Sequence, residues 1–181
     1  MKPLLSKTRI QNGRQCDKRL WLDVHNPKPA VWSDEAQARL DEGTLFGEIA
    51  RDLLGGGVLV EAGHREVEKA LDDTEGLLAQ SWSKAPMLFE PAFSHHDVRV
   101  RVDAYQRGPR GDTLIEVKST TSDKPEHIWD CAIQTWVARG SGRNVTRIEL
   151  AHLNRDFVYQ REGDYDGLMV RQDITARVEA L

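Results

Sequence analysis

The spacing of apolar residues along the chain changes from helical to alternating and back. Ser33-Asp34-Glu35 opens the clearest helical pattern, in which Ala36, Leu40, Leu45 with Phe46, Ile49 with Ala50, and Leu53 with Leu54 recur at steps of three and four. Ser33 suits the N-cap, the two acids favour the first turn, and Gly55-Gly56-Gly57 stops the helix. Ahead of it, residues 6–24 predict one or two short helices capped by Ser6 and anchored by Ile10, Leu20, Trp21, Leu22 and Val24, with Asn26-Pro27-Lys28-Pro29 as the break. Val58-Leu59-Val60 predicts a short strand. A helix over roughly 64–80 follows, with Val67, Leu71 and Leu78 on one side.

From Met87 the period becomes two. Met87 to Phe93 reads as a strand whose Pro91 implies an edge or a bulge. Val98, Val100 and Val102 alternate with Arg99, Arg101 and Asp103, so the strand has one buried and one polar face. A turn over Arg107–Asp112 leads to a strand from Thr113 to Lys118, and the two strands are expected to pair as a hairpin. A helix over roughly 125–139 starts with Pro125 in its first turn. Ile148–Leu153 and Leu168–Val170 predict two further strands, and residues 173–181 a closing helix. The order predicts an α/β sandwich, a mixed central sheet flanked by helices on both faces.

The length of 181 residues suits a single domain, and 39% apolar with 30% charged residues excludes a disordered or fibrous chain. No apolar stretch is long enough to span a bilayer, and the start lacks a secretory pattern, so no membrane partner and a cytoplasmic location are expected. Cys16 and Cys131 stand far apart with no metal-ligand spacing, which fits free thiols; Cys16 is expected to pack as a small buried hydrophobe. The formal charge of −4 does not favour nucleic acid, but its distribution is uneven. Residues 1–28 carry Lys2, Lys7, Arg9, Arg14, Lys18, Arg19 and Lys28 against Asp17 and Asp23, a stretch suited either to phosphate or to a solvated helix face.

Candidate chemistry concentrates between Asp103 and Lys118. Glu116 and Lys118 are two apart on a strand and share a face. With Asp103 on the neighbouring strand, two carboxylates and an ammonium meet on an otherwise apolar sheet. Such a buried group demands a partner or a cation. Carboxylates suit a hard divalent ion, Mg²⁺ or Mn²⁺, and the Val117 carbonyl offers another oxygen. Lys118 would then orient or deprotonate water and offset charge on a phosphate. Arg99 and Arg101 share the strand face of Asp103 and would grip a nucleic-acid backbone, as would Lys18 and Arg19.

Asp103 followed by Ile115-Glu116-Val117-Lys118-Ser119-Thr120 resembles the signature of the PD-(D/E)XK nuclease superfamily. Asp130-Cys131-Ala132-Ile133-Gln134 is similar to the glutamine motif of its RecB-like branch, although the tyrosine expected one turn later is Ala138 here. Gly43-Thr44-Leu45-Phe46-Gly47-Glu48 matches the place where the superfamily puts a histidine or glutamate, which nominates Glu48. Ser6-Lys7-Thr8-Arg9 and Cys16-Asp17-Lys18-Arg19-Leu20-Trp21 resemble the opening of bacterial RecB-like proteins, including the CRISPR-adaptation exonucleases and longer related chains. The resemblance spans roughly residues 4–155. It implies a restriction-endonuclease-like core and a Mg²⁺- or Mn²⁺-dependent nuclease acting on DNA. Asp103, Glu116, Val117 and Glu48 would hold metal, with Lys118 and Gln134 beside them. Two cysteines cannot supply a four-thiolate iron–sulfur cluster.

A lone Glu-x-Lys on a strand is ordinarily a cross-strand salt bridge. Asp130 and Gln134, four apart, also fit an ordinary helix-surface pair. His95-His96 reads as a turn pair rather than a metal site, and Trp21, Trp32, Trp82, Trp129 and Trp136 as packing rather than base stacking. The rival function is a nucleic-acid-binding or scaffolding module with a degenerate nuclease fold; RNA as substrate is a further alternative. The terminal helix carries no capping residue, which suggests a following C-terminal domain or a partner subunit.

Overall fold

The computed structural model describes residues 5–26, 33–63 and 66–181. Leu5–Ser6 (β1) leads into the helices Lys7–Gln15 (α1) and Asp17–His25 (α2). Ser6 caps the first of them, its hydroxyl accepting the Arg9 N–H at 3.3 Å. Cys16 is exposed, which corrects the expectation of a buried thiol: it forms the extended joint between two helices, and Cys131 is the buried one. Asp34–Leu53 (α3) begins where Ser33 accepts the Ala36 N–H and ends at Gly55 and Gly56, whose φ values of 92° and 73° only glycine adopts without strain. Val58–Leu59 (β2) and Val67–Leu78 (α4) follow. The expected helix start at His64-Arg65, the break at Pro27–Pro29, and Trp32 lie outside the described residues.

The strands Met87–Phe89 (β3), Ala92–His95 (β4), Val98–Arg101 (β5) and Ala104–Gln106 (β6) form one long bent hairpin. Its outer half pairs Ala92 with Arg101 through His95 with Val98; its inner half pairs Met87 with Gln106 through Phe89 with Ala104. At the bend, the Glu90 N–H donates to the Asp103 carbonyl at 3.2 Å and the Val102 N–H to Pro91 at 3.0 Å. Glu90 is held at φ 56°, unusual for a residue with a side chain. The outer half joins a three-stranded sheet in the order β1-β5-β4. The inner half joins a six-stranded sheet that continues through Asp112–Lys118 (β7), Val145–Leu153 (β8) and Met169–Asp173 (β9), in the order β2-β3-β6-β7-β8-β9.

The expected hairpin between residues 98–103 and 113–118 is therefore corrected. Residues 98–101 pair with β4, and β7 pairs instead with β6 and, in parallel, with β8. Alternation runs unbroken through Val98, Val100, Val102 and Ala104, all buried, so nothing in the pattern marks the change of sheet. Both sheets mix parallel and antiparallel pairs.

Pro125–Gly140 (α5) covers one face of the large sheet, where Leu114, Ile148 and Leu150 pack with Cys131, Val137 and Ala138. The other face, with Ile115, Ala104 and Ala151, is covered near Leu54 at the end of α3. Helices thus flank the sheet on both sides, as the sequence predicts. Thr175–Glu179 (α6) packs on β8 and α5, with Val178 buried and Arg139 paired to Glu179 at 2.6 Å. No helix among the described residues is long and apolar enough to cross a membrane.

Candidate active site

Alternation along β7 places Leu114, Glu116 and Lys118 toward α5, and Ile115 with Val117 toward α3. Glu116 is only 1% exposed, deep under a helix, where an unpaired carboxylate would be costly. Three groups compensate it. Lys118 Nζ lies 2.6 Å and Lys7 Nζ 2.8 Å from Oε1, while Gln134 Nε2 donates to Oε2 at 2.5 Å. Lys118 also meets Asp130 Oδ2 at 3.0 Å, and Gln11 donates to the other Asp130 oxygen at 3.0 Å. Gln134 and Asp130, one turn apart on α5, therefore both face the centre rather than forming an exposed helix pair.

Asp103 stands at the bend between β5 and β6, and its Oδ2 accepts the Val117 N–H at 2.7 Å. That bond ties the bend to the β7 segment between Glu116 and Lys118. Burial and the neighbouring Glu116 charge raise the Asp103 pKa to about 7, although Lys7, the Val117 N–H and Lys118 oppose the rise. For Glu116 burial acts upward, but Lys7, Lys118 and the Gln134 bond outweigh it and hold the pKa at about 2. Lys118 is held above the ordinary lysine range: burial lowers it, but Glu116 and Asp130 prevail.

These residues fit a hard divalent cation in two respects. Burial first, and then the Glu116 charge, make Asp103 resist ionising near neutrality, a penalty that a cation would relieve. Gln134, fully buried, has its Oε1 without a protein partner, leaving an acceptor for a water or a substrate group. Among the described residues no group of three His, Cys, Asp or Glu gathers into a metal cluster, so water and the Val117 carbonyl would complete any coordination shell. Val117 and Asp103 line one small cavity of about 180 Å³ together with Gly43, Thr44, Gly47 and Arg51.

The other expected residues are placed differently. Glu48 is 59% exposed and 4.0 Å from Arg51; the α3 residues lining the cavity beside Asp103 include its neighbours Gly47 and Arg51 instead. Arg101 donates to the carbonyls of Val60, Ala62 and Glu90, so its guanidinium fastens β5 to two loops. Arg99 pairs at 3.1 Å with Glu68, itself 82% exposed, a pair weak enough to exchange for phosphate. Lys18 and Arg19 stand exposed on α2, Arg19 bonding Gln15. His95 and His96 sit at the β4–β5 turn beside Trp136, as a turn pair. Trp21, Trp82 and Trp136 are 57%, 44% and 47% exposed, contrary to their expected packing.

Sequence reasoning did not bring two residues to the centre, although it named Lys7 in a basic stretch suited to phosphate. Lys7 reaches Glu116 across 109 positions, because β1 pairs Leu5 with Val98 and Ser6 with Arg99 and so delivers the start of α1 to the site. Glu90 lines both cavities flanking Asp103; the only signal for it was the Glu-Pro interruption of an apolar strand.

No family model and no curated protein matches the chain. Among solved structures, the crystal structure of SSO0001 is similar at 14% identity and a TM-score of 0.42, over 98% of this chain and 72% of that one, a likeness too slight to carry an argument.

Proposed function

We propose that the chain is a Mg²⁺- or Mn²⁺-dependent nuclease of the RecB-like branch of the PD-(D/E)XK superfamily, built on a restriction-endonuclease-like core and hydrolysing phosphodiester bonds in DNA. The observation that carries this reading is the junction of Asp103 with the buried Glu116–Lys118 pair, backed by Gln134 from the covering helix. Asp103, Glu116 and the Val117 carbonyl would hold the cation, which when bound polarises a phosphate and acidifies water. Lys118, fixed between Glu116 and Asp130, offers a positive charge and N–H donors where phosphate charge develops. Gln134 keeps Glu116 oriented and has an acceptor to spare. Arg99, released from Glu68, would steady the strand in the cavity of about 460 Å³ that it lines with Ser6, Lys7, Thr8 and Asp103.

The absence of a three-residue metal cluster among the described residues favours the second reading, a nucleic-acid-binding module that has lost hydrolysis. Incubation of end-labelled single- and double-stranded DNA with Mn²⁺ or EDTA separates the two. Cleavage with Mn²⁺ that EDTA and Glu116→Ala both stop supports the enzyme. Binding without cleavage under every divalent ion tested supports the module.

A further inference from the structure

Two ammonium groups converge on a single oxygen, Glu116 Oε1, from opposite ends of the sequence. Lys118 has a second anchor in Asp130, whereas Lys7 has Glu116 alone as its bonded partner among the described residues. We infer that Lys7 is an internal stand-in for the divalent cation. It occupies Glu116 in the metal-free protein and moves off when metal enters, onto the substrate phosphate. This rests on the proposed metal site at Asp103 and Glu116.

The argument is one of charge and reach. Counted fully ionised, as a bound cation would make them, the three carboxylates Asp103, Glu116 and Asp130 face two ammonium groups at the centre. A dication turns that deficit of one into an excess of one, which a phosphodiester monoanion then cancels. A cation on Oε1 would repel both ammonium groups there, and Lys118 keeps its hold on Asp130 when Oε1 is taken, whereas Lys7 has no such second hold among the described residues. Lys7 is the partner able to leave. Its backbone is fixed, since β1 holds Leu5 and Ser6 to β5, and Gln11 further along α1 bonds the Glu126 carbonyl and Asp130. Its side chain is a flexible four-carbon stem, 22% exposed, and it lines the same cavity as Asp103 and Arg99. An ammonium displaced from Glu116 therefore remains within that cavity, beside the position a phosphate bound to the metal would take.

The test is calorimetric titration of MnCl₂, without nucleic acid, into wild type, Lys7→Met and Glu116→Gln, with circular dichroism confirming the folds. Acylation of lysines in the wild-type protein, located by mass spectrometry with and without Mn²⁺, runs beside it. Lys7→Met is expected to bind Mn²⁺ about tenfold tighter, the scale of a coupling between two ligands of one site. Glu116→Gln is expected to lose binding, and Lys7 to become more reactive when Mn²⁺ is present. Unchanged or weaker Mn²⁺ affinity in folded Lys7→Met, or Lys7 acylation indifferent to Mn²⁺, overturns the inference while loss of binding in Glu116→Gln leaves the metal site standing. Wild-type affinity in Glu116→Gln overturns both. Should Lys7→Met fail to fold, the acylation result decides.

Discussion

Gln134 donates from the middle of α5 to Glu116 Oε2 at 2.5 Å, fixing which carboxylate oxygen is left for cations. Gln134→Leu would leave that oxygen buried without its donor. The expected loss is about 1–3 kcal/mol of stability, the usual cost of an unsatisfied buried group, together with weaker Mn²⁺ binding. Urea denaturation and calorimetry measure the two effects. Full stability in Gln134→Leu would mean that the bond is dispensable.

Asp103→Ala, Glu116→Ala and Lys118→Ala are each expected to lower cleavage by at least about 10²–10³-fold, the range for removing one group that stabilises a transition state. A quantitative gel assay with Mn²⁺ measures this. Near wild-type cleavage by any of the three removes that residue from the proposed mechanism.

The two carboxylates impose opposite pH dependences on the metal-free protein. Asp103, raised from its ordinary 3.8 to about 7, keeps a proton that the unfolded chain has lost. Its contribution is full below 3.8 and disappears as pH rises to about 7. Glu116, lowered from 4.5 to about 2, contributes above 4.5 and loses that contribution as pH falls to about 2. Stability in EDTA should therefore be greatest between about pH 3.8 and 4.5, decline as pH rises to about 7 and level off above it. Asp103→Asn can still accept the Val117 N–H but cannot ionise, so it should be more stable than wild type at pH 8. The gain is on the order of 2 kcal/mol, taking about 1.4 kcal/mol per pKa unit and discounting for partial exposure. Equal wild-type and Asp103→Asn midpoints at pH 8 would sink this prediction.

Metal should reverse that decline. Cation binding requires Asp103 ionised, so apparent Mn²⁺ affinity should rise about tenfold per pH unit below pH 7 with about one proton released per ion bound, and level off above pH 7 with none released. Calorimetry in buffers of different ionisation enthalpy counts the protons. A pH-independent affinity between 5.5 and 7 would exclude Asp103 as a ligand.

Arg101→Ala should act on stability rather than on nucleic-acid binding, because its guanidinium is spent on three carbonyls. Lysine at that position cannot reach all three with a single head group. Arg101→Lys is therefore expected to recover only part of the thermal midpoint, as differential scanning fluorimetry would show.

Much of this was legible locally. The start of α3 at Ser33, its end at Gly55, and the facing of Glu116 with Lys118 follow from period and capping alone. What the sequence hid was long-range. Glu116 and Lys118 were readable because they are neighbours; Lys7 was not, because only the pairing of β1 with β5 brings it there. Glu48 lies off the face of its helix that carries Gly43, Gly47, Ala50 and Leu54, and it is that face, marked by the apolar stripe, that lines the cavity. The partner of residues 98–101 was misassigned because alternation reports which side of a strand is buried, not which sheet it belongs to.

The bend at Glu90-Pro91 opposite Val102-Asp103 makes the centre a lever. Asp103 rides at the fulcrum, where one ribbon crosses from the small sheet to the large one, while the Glu116 backbone belongs to the large sheet. The relation of the two carboxylates thereby depends on how the two sheets meet, with the bond from the Val117 N–H to Asp103 holding them together. Phe93 and Val100 face each other across the small sheet, buried in the main core and lining the cavity beside Asp103. Drift in their packing would retune the centre while leaving every group in it unchanged.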